Sequence, residues 1–281
     1  MEPVGFAVGI AGLAGAFTAC VECFEYVQLG RQFGQDYGKC LLKLDAAKLR
    51  ISRWGVAVGL GPEPYLKPRI SATDKEIELA QGLLEQIEET FEDAKRISER
   101  FKKHTFKQNP NSGELLVCNA TSDVDANCQR LHVTMRELAL ERQRGMSIKR
   151  KAIWALYEKR RFEGIIGDVV DYTNQLVDLF PTAQEDQKAL CMTEVSAINK
   201  PQDLALLNNI AGKDDQMFSA EIIKELEKRG HNVTDWKAGG NSRMWVGDDN
   251  AFGVKSEGHN VARFTLSDHT DIHLGNINRG H

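Results

Sequence analysis

The C-terminal end of the chain writes one motif twice. Gly230-His231-Asn232-Val233 returns as Gly258-His259-Asn260-Val261, an offset of 28 residues, and Gly247 meets Gly275 at the same offset without a gap. A repeat restricts the fold strongly, because each copy buries its apolar face only against the next one. Laying residues 230–248 over 258–276 gives five identities in nineteen positions, and the substitutions say more than the identities. Asp235 falls opposite Arg263, Arg243 opposite Asp271, Trp236 opposite Phe264, Met244 opposite Ile272, Val246 opposite Leu274 and Asp248 opposite Asn276, with no like-charged pair in register. In strands stacked about 4.7 Å apart, like charges in register repel, opposite charges attract, and amides and aromatics form ladders.

Strand chemistry is present locally. Met244-Trp245-Val246-Gly247 and Ile272-His273-Leu274-Gly275 alternate with period two, and each ends on a glycine suited to a corner. Arg229 to His281 carries six basic and six acidic residues, so it has no net charge to oppose self-stacking, and its eight glycines and six asparagines leave too little aliphatic mass for a private core. The residues expected in the core of stacked strands are Asn232, Val233, Trp236, Met244, Val246 and Gly247 in the first copy, with Asn260, Val261, Phe264, Ile272, Leu274, Gly275 and Asn276 in the second. Asp235–Arg263 and Arg243–Asp271 are the expected inter-repeat charge pairs. A polar tail or a small hairpin module is the competing reading of the same composition.

At the other end, Pro3 to Val21 is an uncharged run of nineteen residues between Glu2 and Glu22, about the length that spans a bilayer core. Ala7, Ala11, Gly15 and Ala19 lie four apart on one helical stripe. Val4, Phe6, Val8, Ile10, Leu13 and Phe17 are the apolar residues expected to meet lipid. The competing reading is a buried first helix weakened by its glycines, and the two hold together if the chain has two states. Only Glu2 precedes the run, where a secretory signal would carry basic residues.

Between the two ends the periodicity is helical. Asp36–Val58 places Leu41, Leu44, Ala47, Ile51 and Trp54 on one face, and Pro62, Pro64 and Pro68 end it. Thr73 to His104 predicts a long helix with a Thr73/Glu76 capping box and Ile77, Leu84, Ile87, Phe91 and Ile97 inward. Asn109 to Gly113 is a loop, and helices are expected over about 125–144, 147–157, 161–180 and 182–197. Pro201 breaks the pattern, and a weak helix over about 219–228 leads to the repeats. No strand is expected before residue 229, so the body is an all-α bundle. A net charge of −4 without a concentrated basic patch argues against nucleic acid as a partner. The six scattered cysteines read as reduced cytosolic thiols.

The paired motifs resemble the prion-forming region of the fungal HET-s/HET-S proteins. Cys20-Val21-Glu22-Cys23-Phe24-Glu25-Tyr26-Val27-Gln28-Leu29-Gly30-Arg31, Ser52-Arg53-Trp54-Gly55 and Ala152-Ile153-Trp154-Ala155-Leu156-Tyr157 resemble words of that family's globular part, the HeLo domain. The chain departs from the family in the Asn-to-Gly spacing, in a short inter-repeat linker (Asp249 to Glu257) and in its end soon after Gly275, without the family's longer aromatic tail.

The resemblance implies a HeLo-like helical domain over 1–222 and a flexible prion-forming tail over 223–281, able to form a β-solenoid amyloid with two layers per molecule. It implies prion-controlled heterokaryon incompatibility or programmed cell death without catalysis, in which tail folding releases the N-terminal helix into the membrane. Implied partners are further copies of the chain, related HET-s/HET-S variants, an NLR-type receptor with a similar repeat, and membrane lipid. The implied location is the cytoplasm, then the plasma membrane. Glu22 and Gln32 are implied toxicity determinants. The non-killing form resembles Gly-Arg-Pro-Phe-Gly where this chain has Gly30-Arg31-Gln32-Phe33-Gly34, and glutamine leaves free a backbone that proline would restrict. A soluble helical adaptor with a small C-terminal binding module is the alternative class.

No phosphate-binding glycine loop, His-Glu-x-x-His or nucleophile elbow occurs, so no cofactor is expected. Cys20-x-x-Cys23 lies in the apolar run without a second pair and reads as two packed thiols. His231, His259, His269 and His273 are not expected to bind metal, because the i,i+4 spacing of the last two loses its meaning in strands. The basic runs Lys149-Arg150-Lys151 and Lys159-Arg160-Arg161 read as a solvated helix face or a contact for anionic lipid or a partner.

Overall fold

A computed structural model of the chain describes residues 3–61, 72–108, 117–118, 123–143 and 153–229, with short strands at 231–233, 236–238, 243–246, 249–250, 259–261, 264–266, 271–274 and 277–278. Pro62, Pro64, Pro68 and the Asn109–Gly113 loop lie outside the described residues. The described chain forms two compact units, 1–190 and 191–281.

The first unit is built on four long helices, α1 (Pro3–Glu25), α2 (Tyr37–Ala57), α3 (Asp74–Gln108) and α5 (Lys159–Leu179), with α4 (Ala126–Glu141) against α2. α3 packs on both α1 and α5. Its 35 residues make a rod about 50 Å long at 1.5 Å per residue. The capping box forms: Glu76 Oε2 accepts from the Thr73 amide at 2.6 Å, and the Glu76 amide donates to Thr73 Oγ1 at 3.3 Å. Ile77, Ala80, Leu84, Ile87, Phe91 and Ala94 then fall on the buried face, while Ile97 is half-buried. All five residues expected inward on α2 are buried. Asp125 caps α4 by accepting from the amides of Asn127 and Cys128.

Two expectations for the helical part need correction. Of the helix expected over 147–157, residues 153–157 are described, and Trp154–Leu156 is a strand, β2. It pairs in parallel with β1 (Val27–Leu29), Val27 facing Trp154 and Leu29 facing Leu156. A three-residue apolar run carries no period that separates helix from strand. The arbiter is tertiary: the Trp154 amide donates to Tyr26 O and the Gly30 amide to Leu156 O, both at 2.8 Å, which satisfies backbone groups that burial would otherwise orphan. The bundle thus contains a small parallel sheet.

The second correction is α7 (Pro201–Ala211), which follows α6 (Gln184–Ala197). Pro201 starts a helix rather than only ending one, because the first turn needs no amide hydrogen from it. Leu204, Leu207, Ile210 and Ala211 are buried. α8 (Gln216–Lys228) is capped by Asp215, which accepts from the Phe218 amide at 3.2 Å, and packs on α7 through a bond from Ser219 Oγ to Asn208 Oδ1 at 2.7 Å.

The tail contributes β3 (His231–Val233), β4 (Trp236–Ala238), β5 (Arg243–Val246), β6 (Asp249–Asn250), β7 (His259–Val261), β8 (Phe264–Leu266), β9 (Asp271–Leu274) and β10 (Ile277–Asn278). They form four parallel pairs, β3–β7, β4–β8, β5–β9 and β6–β10, each at the 28-residue offset of the sequence repeat. Within this unit α8 approaches β3 and β7.

Candidate functional site

α1 is seated in the hydrophobic core of the first unit. Leu13 and Phe17 are buried there with Cys20, Val21, Cys23 and Phe24, and Ile10 packs half-buried against them. The side chains of Val4, Phe6 and Val8 lie outside the described residues. Phe17 meets Trp54 with ring centroids 6.2 Å apart and occupies a notch made by Gly55: a Cβ on Gly55 would stand 2.1 Å from Phe17 Cζ. Trp54 is fixed in turn, its indole N–H donating to Leu176 O at 3.1 Å and its ring 6.0 Å from Phe180. Phe24 stands edge-on to Phe91 at 4.8 Å.

The described part of the small-residue stripe, from Ala11 to Ala19, faces the other way. Ala11 and Gly15 are exposed and Ala19 is half-buried. Among the described residues no helix is long and apolar enough to cross a membrane. Cys20 and Cys23 are buried and outside any disulfide, and burial, with the Cys23 charge beside it, pushes the Cys20 pKa well up. Among the described residues no cluster of His, Cys, Asp and Glu has the makings of a metal site.

The two positions that the family resemblance implied for toxicity, Glu22 and Gln32, flank β1 in unlike surroundings. Glu22 is buried at 5% exposure on the last turn of α1, and Gln32 is exposed on the 3-10 segment Arg31–Asp36. That segment is broken at Gly34, whose φ of +51° is a left-handed value that favours glycine. Phe33 anchors it, edge-on to Phe162 at 5.7 Å.

Sequence reading missed a charged cluster at the C-terminal end of α1. Glu25, the last residue of that helix, pairs with Lys48 of α2 through Oε1 and with Arg136 of α4 through Oε2 at 3.0 Å. Burial pushes the Glu25 carboxyl up, but the Lys48 charge and hydrogen bond, with Arg136 and His132 nearby, outweigh it and hold the group below its ordinary value. Beside it His132 Nδ1 lies 2.7 Å from Asp45 Oδ2, and burial raises the Asp45 pKa despite that contact. The partners are 23 and 111 residues from Glu25 in the chain, too far for any local pattern. The one legible signal was two acids, Glu22 and Glu25, at a helix end that carries no basic residue.

In the tail, backbone register places Asn232 opposite Asn260, Val233 opposite Val261, Trp236 opposite Phe264, Met244 opposite Ile272, Val246 opposite Leu274 and Arg243 opposite Asp271. Asp235, Arg263, Gly247, Gly275, Asn276 and His269 lie outside the described residues, as does Lys149-Arg150-Lys151. The second basic run opens α5: Lys159 pairs with Asp36 at 2.6 Å and Arg161 with Glu158 at 3.3 Å.

Comparison with known proteins agrees with this architecture. Residues 5–207 match the model of the HeLo family, described as prion-inhibition and propagation. The chain is 34% identical over 226 residues to heterokaryon incompatibility protein s of Podospora anserina, covering 80% of this chain and 75% of that protein, and it matches protein S of the same species to the same extent. The solved HET-S N-terminal domain superposes with a TM-score of 0.67 at 31% identity, covering 80% of this chain and 98% of that domain. A helical body seated on a buried first helix, matched to one family over most of its length, identifies the chain as a member of the HeLo family, relatives of the HET-s and HET-S proteins.

Proposed function

We propose that the chain is a non-enzymatic effector of prion-controlled heterokaryon incompatibility, a form of programmed cell death. Residues 223–281 are the prion-forming region, whose two repeats stack as layers of a β-solenoid on the repeats of further copies, of related HET-s/HET-S variants, or of an NLR-type receptor carrying a similar repeat. Tail folding then frees α1 from the helical body, and α1 enters the plasma membrane and permeabilises it. Before activation the protein is cytoplasmic.

The observation that carries this reading is the tail register: four parallel strand pairs keep one offset of 28 residues. A constant offset in parallel leaves the outer edge of each copy as a template for the next chain. The seat of α1 supports the second half, since its buried apolar residues are those that lipid would also accept. Seeds grown from residues 213–281 are expected to convert the full-length protein and to start leakage from liposomes. Absence of conversion removes the templating role.

The adaptor reading has one specific observation in its favour. No helix among the described residues reaches the length and hydropathy of a membrane span. In that reading α1 never leaves the core, and seeded full-length protein leaves liposomes intact.

A further inference from the structure

We propose that Glu25, held between Lys48 and Arg136, is the latch that keeps the C-terminal end of α1 docked, and that opening this clamp is the local event that frees the helix. An acid at the C-terminal end of a helix opposes the helix dipole, and α1 ends on Glu22 and Glu25 with no basic residue in its last turn. The turn is therefore poorly stabilised by its own sequence and depends on cations from other elements. Both arms come from outside α1: Lys48 is buried on α2, and Arg136 reaches in from the half-exposed face of α4. The clamp sits at the junction where α1 gives way to Tyr26 and β1, so it fixes the end of the helix nearest the parallel sheet.

The surroundings suit a device that opens. Glu25 lines a cavity of about 580 Å³ together with Phe24, Lys48, Asp45, His132 and Arg136, and Tyr37 of α2 and Cys118 border it. The side chains have room to part without a rearrangement of the packed core. Phe17 and Trp54, by contrast, interlock with no room beside Gly55. At the C-terminal end, where Phe24 also packs edge-on to Phe91, the two Glu25 pairs are the part of the grip that opens first, because parting ion pairs exposes less apolar surface than withdrawing an aromatic ring.

Only the link from latch to killing rests on the function proposed above. The latch is tested without it, by hydrogen exchange of the full-length protein with neither seeds nor membranes. In Glu25→Gln, amides of residues 19–29 are expected to exchange about tenfold faster than in the wild type while α3 and α5 keep their protection, the size following from loss of charge-assisted bonds. The exchange of charges, Glu25→Lys with Lys48→Glu and Arg136→Glu, rebuilds both arms with their signs reversed and is expected to recover part of that protection. If Glu25→Gln fails to fold, Arg136→Gln removes one arm from a side chain that is 51% exposed and gives the same local effect more weakly.

Equal acceleration across α1, α3 and α5, or a swap no better protected than Glu25→Gln, overturns the latch. Seeded wild-type protein that leaves liposomes intact overturns the membrane reading and does not touch the exchange result. Faster seeded leakage in Glu25→Gln joins the two.

Discussion

At the scale of single residues, the grip on α1 is a ring in a notch and a carboxylate between two cations. Gly55→Ala places a methyl 2.1 Å from Phe17 Cζ, beside the fully buried rings of Phe17 and Trp54. Overpacking of this kind costs about 1–3 kcal/mol. The expected outcome is a lower denaturation midpoint, partly restored in the double variant with Phe17→Leu. If Gly55→Ala is as stable as the wild type in urea, the notch is not what seats α1. Glu25 adds a pH dependence of defined sign. Its folded pKa lies below the unfolded value, so the stability it contributes is present above the ordinary carboxylate range and is lost as pH falls through the depressed folded value. Acid titration of stability is expected to be shallower for Glu25→Gln than for the wild type, and identical slopes would remove the ion pairs from the balance.

At the scale of elements, what the sequence revealed depended on how locally each element is determined. α3 was legible because its cap, its period and its length all point to one answer: Thr73 and Glu76 bond reciprocally, and the apolar residues follow at helical spacing. Thr73→Ala is expected to cost about 1 kcal/mol, read as a shift in urea midpoint with an unchanged slope. β2 was illegible because Trp154-Ala155-Leu156 takes its conformation from β1, more than 120 residues earlier, through bonds such as Gly30 N–H to Leu156 O. α7 was missed because Pro201 carries two meanings, a stop in a helix interior and a start at the first turn. The candidate site divides the same way. The repeat register was legible from a fixed offset, and the structure extends it two residues beyond the expected ends, to Asn250 and Asn278. The Glu25 clamp was not, since its three members come from three helices.

At the scale of the whole molecule, the proposed function asks one chain to serve two states, and each prediction separates them. Arg243 and Asp271 face one another in register, and in the sequence Asp235 lies 28 residues before Arg263. Asp235→Lys is expected to slow seeded fibril growth and to change its salt dependence, and the double variant with Arg263→Asp to recover part of the rate. An exposed pair is worth only about 0.2–1 kcal/mol, so rates are the sensitive readout. A double variant that seeds no better than the single one refutes the register.

The membrane half of the proposal is separable because α1 shows solvent a face that the packing of the helical body does not use. Gly15 is exposed, and no atom outside its own helical surroundings lies within 4 Å of a Cβ built there. Lysine at Gly15 therefore points into water in the helical body, and replacing a mid-helix glycine adds up to about 0.7 kcal/mol of helix stability. In a bilayer the same lysine stands deep in the uncharged run from Pro3 to Val21 and costs about 2.5–3.5 kcal/mol on the insertion scale, roughly two orders of magnitude in population. Gly15→Lys is thus expected to be at least as thermally stable as the wild type and to match it in fibril seeding, and to lose liposome leakage and toxicity. Leakage retained by a folded, seedable Gly15→Lys protein would mean that α1 does not enter the membrane. The helical body would then act from the surface, with α1 still seated against α3.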